Sequence, residues 1–354
     1  MKIGILTSGG DCAGLNAVMC GFVKTITALE QDVEICGIMD GYGGLVNRES
    51  CVIAPEEFNG ILKLGGTILR TSRQPYKKLV LDGESNKVAQ MKDNYRKMGL
   101  DALIVLGGQG THKTAAFLSG EGLRIIALPK TIDNDIWGTD FTFGFHSAAD
   151  VATECIDRVQ TTAQSHSRAM IVEIMGNKVG WLTLYAGVGG GADIILIPEL
   201  PYDIGKVIEA AGRVGKRKGF CVIAAAEGAM DQGEALLSKK ERAQKRAKHG
   251  EVTASNRIAA AIAGKLDIET RVVVPGHILR GGAPSPYDRV LCTQMGASAA
   301  RLAHEGCFGV TVALRDGKMT SNFLSDIAGK TKFVPPTHEL VQAAKDTGVC
   351  FGNC

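Results

Sequence analysis

Several features are missing from this chain, and each absence removes a class of function. No apolar run in the 354 residues reaches the roughly 18 that a membrane-crossing helix needs, so no spanning segment and no membrane partner are expected. The net charge is only +3, spread along the chain, and aromatics make up 5% of it, which gives no basic, aromatic-studded face for nucleic acid. Neither G-x-G-x-x-G nor G-x-x-x-x-G-K-[ST] occurs, so a nicotinamide-linked dehydrogenase fails for want of a dinucleotide fingerprint, and a Walker loop is excluded as well. The ten cysteines contain no C-x-x-C pair, and Met1-Lys2 runs straight into a short strand without a secretory leader. They read as reduced cytoplasmic thiols, with Cys350 and Cys354 in a tail that has no further ligands to make a zinc site. Internal repeats, low-complexity segments and long linkers are also absent.

Glycine, by contrast, is abundant. Forty-five glycines exceed the ordinary share and imply tight turns where backbone approaches a ligand closely. With 45% hydrophobic and 22% charged residues, the chain has material for two domains with full cores.

The apolar run Ile125-Ile126-Ala127-Leu128 stops abruptly in Pro129-Lys130-Thr131-Ile132-Asp133-Asn134-Asp135. That is the pattern of a buried parallel strand whose carboxyl end opens into a site. In an extended segment Asp133 and Asp135 point the same way, and a carboxylate pair beside Lys130 can take a proton from a hydroxyl or hold magnesium. An Asx-rich turn capping the next helix is the equally weighted alternative.

Three glycine loops follow predicted strands in the same manner. Thr7-Ser8-Gly9-Gly10-Asp11 follows Lys2–Leu6 and precedes a helix from Ala17 to Leu29. Asp40-Gly41-Tyr42-Gly43-Gly44 follows Val33–Met39, with an exposed Tyr42 that either stacks on a base or packs on a neighbouring loop. Gly107-Gly108-Gln109-Gly110-Thr111-His112-Lys113 follows Ala102–Leu106, with His112 and Lys113 on a solvated helix face. One shared polyphosphate site explains such loops most economically. Helices are expected over Pro55–Leu64, Asn86–Gly99, Ser147–Thr161 and Tyr287–Leu302, and a strand at Gly309–Leu314 before a helical tail. Ser238–Lys248 is basic without aromatics and reads as a solvated helix face or loop rather than an anion patch. Arg271, His277 and Arg280 bracket one strand and its turn, a grouping suited to a phosphate monoester.

Gly9-Gly10-Asp11, Gly107-Gly108-x-Gly110-Thr111, Pro129 to Asp135, Ser165-His166-x-Arg168, Met175-Gly176, Glu227 and Gly276-His277-Ile278-x-Arg280-Gly281-Gly282 occur in that order. In this combination the chain resembles the phosphofructokinases over essentially its whole length. The resemblance implies phosphoryl transfer to the 1-hydroxyl of fructose 6-phosphate in glycolysis. It implies Asp133 as base, Thr131 and Asp135 beside it, and Arg73 stabilising the transferring group. It places the donor among Gly10, Asp11, Tyr42, Arg73, Gly107, Gly108, Gln109, Gly110, Thr111 and Lys130. The sugar phosphate is expected on Thr131, Asp133, Arg168, Met175, Gly176, Asn177, Glu227, Arg271, His277 and Arg280. It implies two Rossmann-like α/β domains, mostly parallel sheets sandwiched by helices, with the active site in the interdomain cleft. The boundaries expected are 1–138 with 255–305 for the donor domain and 139–254 with 306–354 for the sugar-phosphate domain. A homodimer or homotetramer is implied, in which Arg168 and Arg271 serve a neighbouring subunit's site.

Gly110, small where pyrophosphate users usually carry Asp, points to ATP; Lys130, typical of pyrophosphate users, keeps pyrophosphate as the alternative donor. Gln109 stands at the magnesium position, where most of the family has an aspartate, and a neutral amide is a poorer ligand for a hard cation. That departure alone motivates a competing reading, a sugar-phosphate-binding relative without catalysis. Cys20 and Ala54 occupy two places where regulated bacterial relatives carry effector arginines, although Lys216 to Lys218 remains basic. Saturation by fructose 6-phosphate should therefore respond weakly or not at all to ADP and phosphoenolpyruvate; a sigmoidal curve relieved by ADP would contradict this.

Overall fold

The computed structural model describes residues 1–74, 87–248 and 253–353; Cys354, read above as part of the tail, lies outside them. Eleven strands are present among the described residues: β1 Lys2–Ser8, β2 Glu34–Ile38, β3 Ser50–Ile53, β4 Ala102–Gly107, β5 Ile125–Pro129, β6 Ala169–Ile174, β7 Ile194–Leu196, β8 Cys221–Ala226, β9 Thr270–Val273, β10 Val310–Arg315 and β11 Lys318–Phe323. β4, β5, β6 and β8 are buried along their whole lengths, as continuous apolar strands covered on both faces must be.

The chain forms two compact units, Met1–Ser147 with Arg280–Lys332 and Ala148–Leu279 with Phe333–Cys354. These bounds differ from the expected ones. Residues 255–279 join the second unit because β9 pairs with β6, Arg271 opposite Met170. Residues 306–332 join the first because β10 pairs with β5, Val310 opposite Ile126.

The first unit holds a seven-stranded sheet in the order β11-β10-β5-β4-β1-β2-β3, parallel except for the edge strands β3 and β11. One face of its core is built from Leu6, Ile38, Leu103, Val105, Ile125 and Ala127. Helices Leu15–Leu29 and Pro286–His304 pack in this unit with their backbones in contact. A Cβ on Gly296 would lie 2.4 Å from the Val18 carbonyl and 2.6 Å from the Phe22 nitrogen. The second unit holds the parallel sheet β7-β8-β6-β9, with Ile171, Ile194, Leu196, Ile223 and Ala225 in its core. No helix among the described residues is long and apolar enough to cross a membrane.

Three expectations change. Pro55–Leu64 is two 3-10 turns, Pro55–Phe58 and Ile61–Lys63, split by Gly60 at φ 87°. The helix expected at Ser147–Thr161 runs from Phe145 to His166. The tail after β10 is not all helix: it turns at Asp316-Gly317, both at positive φ, into β11 before the helices Leu324–Ile327 and Glu339–Asp346. Asp-Gly is the favoured two-residue hairpin turn, but the half-exposed run Lys318–Phe323 lacks the apolar alternation that marks a strand.

Gly296→Ala should lower stability by about 1–3 kcal/mol, because the new methyl meets backbone that cannot move aside cheaply. The urea midpoint of the variant against the natural protein checks this.

Candidate active site

The site begins with a register. Ser8 of β1 is level with Gly107 of β4, and Gly107 is level with Pro129 of β5. The loops that follow all three strands therefore leave the sheet side by side. β2 pairs with β1 on its other edge, so strand order reverses between β1 and β4, the switch point at which open α/β sheets bind ligands.

Gly9, at φ 93°, donates its amide to Ser72 O at 3.1 Å, and Thr71 Oγ1 donates to Gly9 O at 2.9 Å. These bonds bring the exposed Arg73 next to the first loop. The Arg280 guanidinium lies over Gly10: a Cβ there would meet its Cζ at 3.1 Å. Lys130 is buried and its Nζ donates to Gly10 O. Burial holds this ammonium below the ordinary lysine value, while Cys12, Asp133 and Asp11 pull the other way. Thr111 Oγ1 donates to Ser8 O at 3.3 Å, and a Cβ at Gly110 would meet nothing within 4 Å. The nitrogen of the Gln109 amide faces Thr331 Oγ1 at 2.7 Å and the carbonyls of Asp135 and Lys330 at 3.2 Å each.

The stretch after β5 is not extended, because Asn134 sits at φ 53°, so Asp133 and Asp135 do not share a face by simple alternation. Both are half-buried. Thr131 Oγ1 accepts from the Asp133 amide at 3.0 Å, and Asn134 Oδ1 accepts from the Thr142 amide at 3.0 Å and from Lys332 Nζ at 2.8 Å. Burial pushes the Lys332 ammonium down to about 7, against the pull of Asp140 and Asp135. At the start of the next helix the buried Asp288 supplies the carboxylate that accepts from Gly144 N at 3.0 Å and from Ser147 N at 2.7 Å. Nothing in the local sequence around Asp288 marks it for this, since its partners lie some 140 residues upstream.

Two expected surface residues are buried. Tyr42 is fully covered and donates to Thr111 O at 3.1 Å, so it props the donor loop rather than stacking on a base. His112 is buried, with Nδ1 3.0 Å from Gly108 O and Nε2 3.0 Å from Thr311 Oγ1, whereas Lys113 is exposed as expected.

In the second unit, β6 and β8 end level, Ile174 with Ala226. Glu227 Oε1 there accepts from Gly176 N at 3.1 Å and Asn177 N at 2.6 Å, which gathers Met175, Gly176, Asn177 and Glu227. His277 follows β9 at the same end and is exposed. Arg168 and Arg271 lie elsewhere: Arg168 precedes β6, and both pair with Glu269, Arg168 Nε at 2.6 Å. Six residues of strand separate the two ends, roughly 20 Å at about 3.3 Å per residue. Arg280 belongs to the first unit.

Among the described residues no group of three or more His, Cys, Asp or Glu is arranged to hold a metal. A magnesium ion that arrives on phosphates needs only one or two protein carboxylates and keeps several waters. Asp11 and Asp135 are half-buried carboxylates on the loops that follow β1 and β5.

A family model described as phosphofructokinase matches residues 2–303. A Spirochaeta thermophila protein named ATP-dependent 6-phosphofructokinase is 49% identical, the match covering 99% of this chain and 97% of that protein. ATP-dependent 6-phosphofructokinase 3 of Bacteroides thetaiotaomicron is 43% identical over 99% of this chain and 100% of its own. Among solved structures, phosphofructokinase from Saccharomyces cerevisiae matches with a TM-score of 0.79 at 30% identity, over 92% of this chain and 45% of the yeast chain. A pyrophosphate-dependent phosphofructokinase from Marinobacter aquaeolei matches with a TM-score of 0.82 at 20% identity, over 99% of this chain and 91% of that one, a likeness of fold.

Burial lowers the His112 pKa from 6.5 to about 4. Above pH 6.5 the ring is neutral in both folded and unfolded chains; between 6.5 and 4 the unfolded chain takes up the proton first, so stability is lost as pH falls. The loss from this residue is about 3 kcal/mol. Urea midpoints at pH 7, 6 and 5 should fall less steeply in His112→Asn than in the natural protein.

Proposed function

The chain belongs to the phosphofructokinase family, and we infer that it is an ATP-dependent 6-phosphofructokinase, transferring the terminal phosphoryl group of ATP to the 1-hydroxyl of fructose 6-phosphate in glycolysis. The observation that carries this reading is the level register of Ser8, Gly107 and Pro129, by which two glycine loops and the Thr131–Asp135 segment leave the sheet side by side, as a shared polyphosphate site requires.

Asp133 accepts the proton of the 1-hydroxyl as that oxygen attacks the γ-phosphorus. The bond from phosphorus to the β–γ bridging oxygen breaks, and ADP leaves with the bonding pair. Arg73, Lys130 and the amides of Gly10, Gly108 and Gly110 offset charge on the phosphates, so catalysis is positioning and electrostatics rather than covalent chemistry. Asp11 and Asp135 would hold the magnesium that accompanies the nucleotide, and the ion supplies charge neutralisation at the phosphate oxygens. The open space at Gly110 supports a nucleotide, whose α-phosphate needs room there. Lys130 is the feature that favours pyrophosphate; its ammonium gives one hydrogen to the Gly10 carbonyl and keeps others for either donor, so the choice rests on Gly110.

The first unit takes the donor. The second takes the sugar phosphate through Met175, Gly176, Asn177, Glu227 and His277. Arg168 lies about 20 Å away along β6, and Arg271, level with Met170, about 13 Å from that strand's end, so neither stands with that group within one chain. They serve a second copy's site, which makes the working form a cytoplasmic homodimer or homotetramer.

Initial rates of fructose 1,6-bisphosphate formation with magnesium and either ATP or pyrophosphate test the donor. Turnover with ATP is expected, and turnover with pyrophosphate alone would reassign it. Asp133→Ser should lower kcat by about 10²- to 10⁴-fold with little change in KM, the loss appropriate to a missing general base.

A further inference from the structure

We propose that Gln109 and Lys332 are positioning residues that lash the Asp133–Asp135 segment to residues 330–332, and that position 109 carries an amide because it must donate hydrogen bonds there. This rests on the functional reading above, since it concerns the segment that holds the base.

After β5 ends at Pro129, the catalytic segment leaves the sheet and has no ladder of its own. Its support comes from a stretch some 200 residues later in the chain. Ile136 bridges Thr331 in antiparallel fashion, and the Lys332 amide donates to Asp135 O at 2.9 Å. Lys332 Nζ then fills its donor capacity on three oxygens: Asn134 Oδ1 at 2.8 Å, Thr139 O at 2.9 Å and Asp140 O at 2.7 Å. Asn134, between the two aspartates, is thereby held in its left-handed conformation. From the other side the Gln109 nitrogen shares its two hydrogens among Asp135 O, Lys330 O and Thr331 Oγ1. Both side chains grip the same short piece of backbone.

A carboxylate at 109 has no hydrogen to give. It would turn lone pairs toward two carbonyl oxygens, and the resulting repulsion would push Asp135 and its neighbours away. The amide at 109 is thus tied to Thr331, which receives it, and to Lys332, which grips the same segment. Displacements on the order of 1 Å in a segment carrying the base cost about 10²-fold in rate.

The test compares Gln109→Glu, Lys332→Met and Lys332→Arg with the natural protein, by steady-state kinetics with magnesium, ATP and fructose 6-phosphate and by peptide-resolved hydrogen exchange. Gln109→Glu and Lys332→Met should each lower kcat roughly 10- to 100-fold with KM values within about threefold of the original. Exchange should quicken in peptides spanning 131–142 and 330–334 and nowhere else. Lys332→Arg, which keeps donors, should recover part of the rate. The Gln109→Glu/Lys332→Met double variant should fall no more than about threefold below the worse single one, since both residues hold one segment. Gln109→Glu with undiminished kcat and a lower magnesium requirement would overturn the proposal by making 109 a metal position, and so would unchanged exchange in Lys332→Met. A natural protein without turnover on either donor would instead overturn the functional reading, leaving the exchange comparison to decide the lash.

Discussion

The hydrogen-bonded register of β1, β4 and β5 is the constraint on which the site depends. Parallel strands admit little freedom once their ladders are made, because a slip of one residue would break the ladder bonds and move every buried side chain out of the space it fills. With Ile3, Ile5, Leu103, Val105, Ile125 and Ala127 all buried, each strand is locked lengthwise. Their carboxyl ends must then be level, and three stretches far apart in sequence are forced into one place. Backbone amides, the Lys130 ammonium and the Asp133 carboxylate collect where the polar chain emerges from an apolar layer.

Such a concentration of polar groups is costly unless each finds a partner. The first unit meets this by using side chains as struts. Tyr42 supports Thr111, His112 joins Gly108 to Thr311 on β10, Lys130 reaches Gly10, and Asp288 closes the turn before the helix at Phe145. These side chains tie the glycine loops to the rest of the first unit; under the proposed function such fixed loops would lose little free energy to reorganisation when charge develops on a transferring group.

In the second unit geometry divides what sequence order had grouped. Met175, Gly176, Asn177, Glu227 and His277 lie at the carboxyl end of its sheet, while Arg168 and Arg271 meet Glu269 toward the other end. A strand of six residues is a spacer no side chain can cross. The two arginines are therefore set apart from the residues at the carboxyl end.

Strands with continuous apolar runs, the glycine loops that end them and the Thr131–Asp135 segment were legible in the sequence, because buried parallel strands and phosphate loops depend on local composition. What the sequence could not decide was where single polar side chains come to rest. Tyr42 and His112 carry ordinary surface chemistry, and only the neighbours at Thr111 and Thr311 cover them. The β11 edge strand is half-exposed and lacks alternation, so its pairing with β10 decides it. The domain limits follow from which sheet β9 and β10 join, and Gln109 acquires its meaning from Thr331 and Lys332. Each of these is a contact between residues distant in the chain, and no local pattern records a partner that only folding brings near.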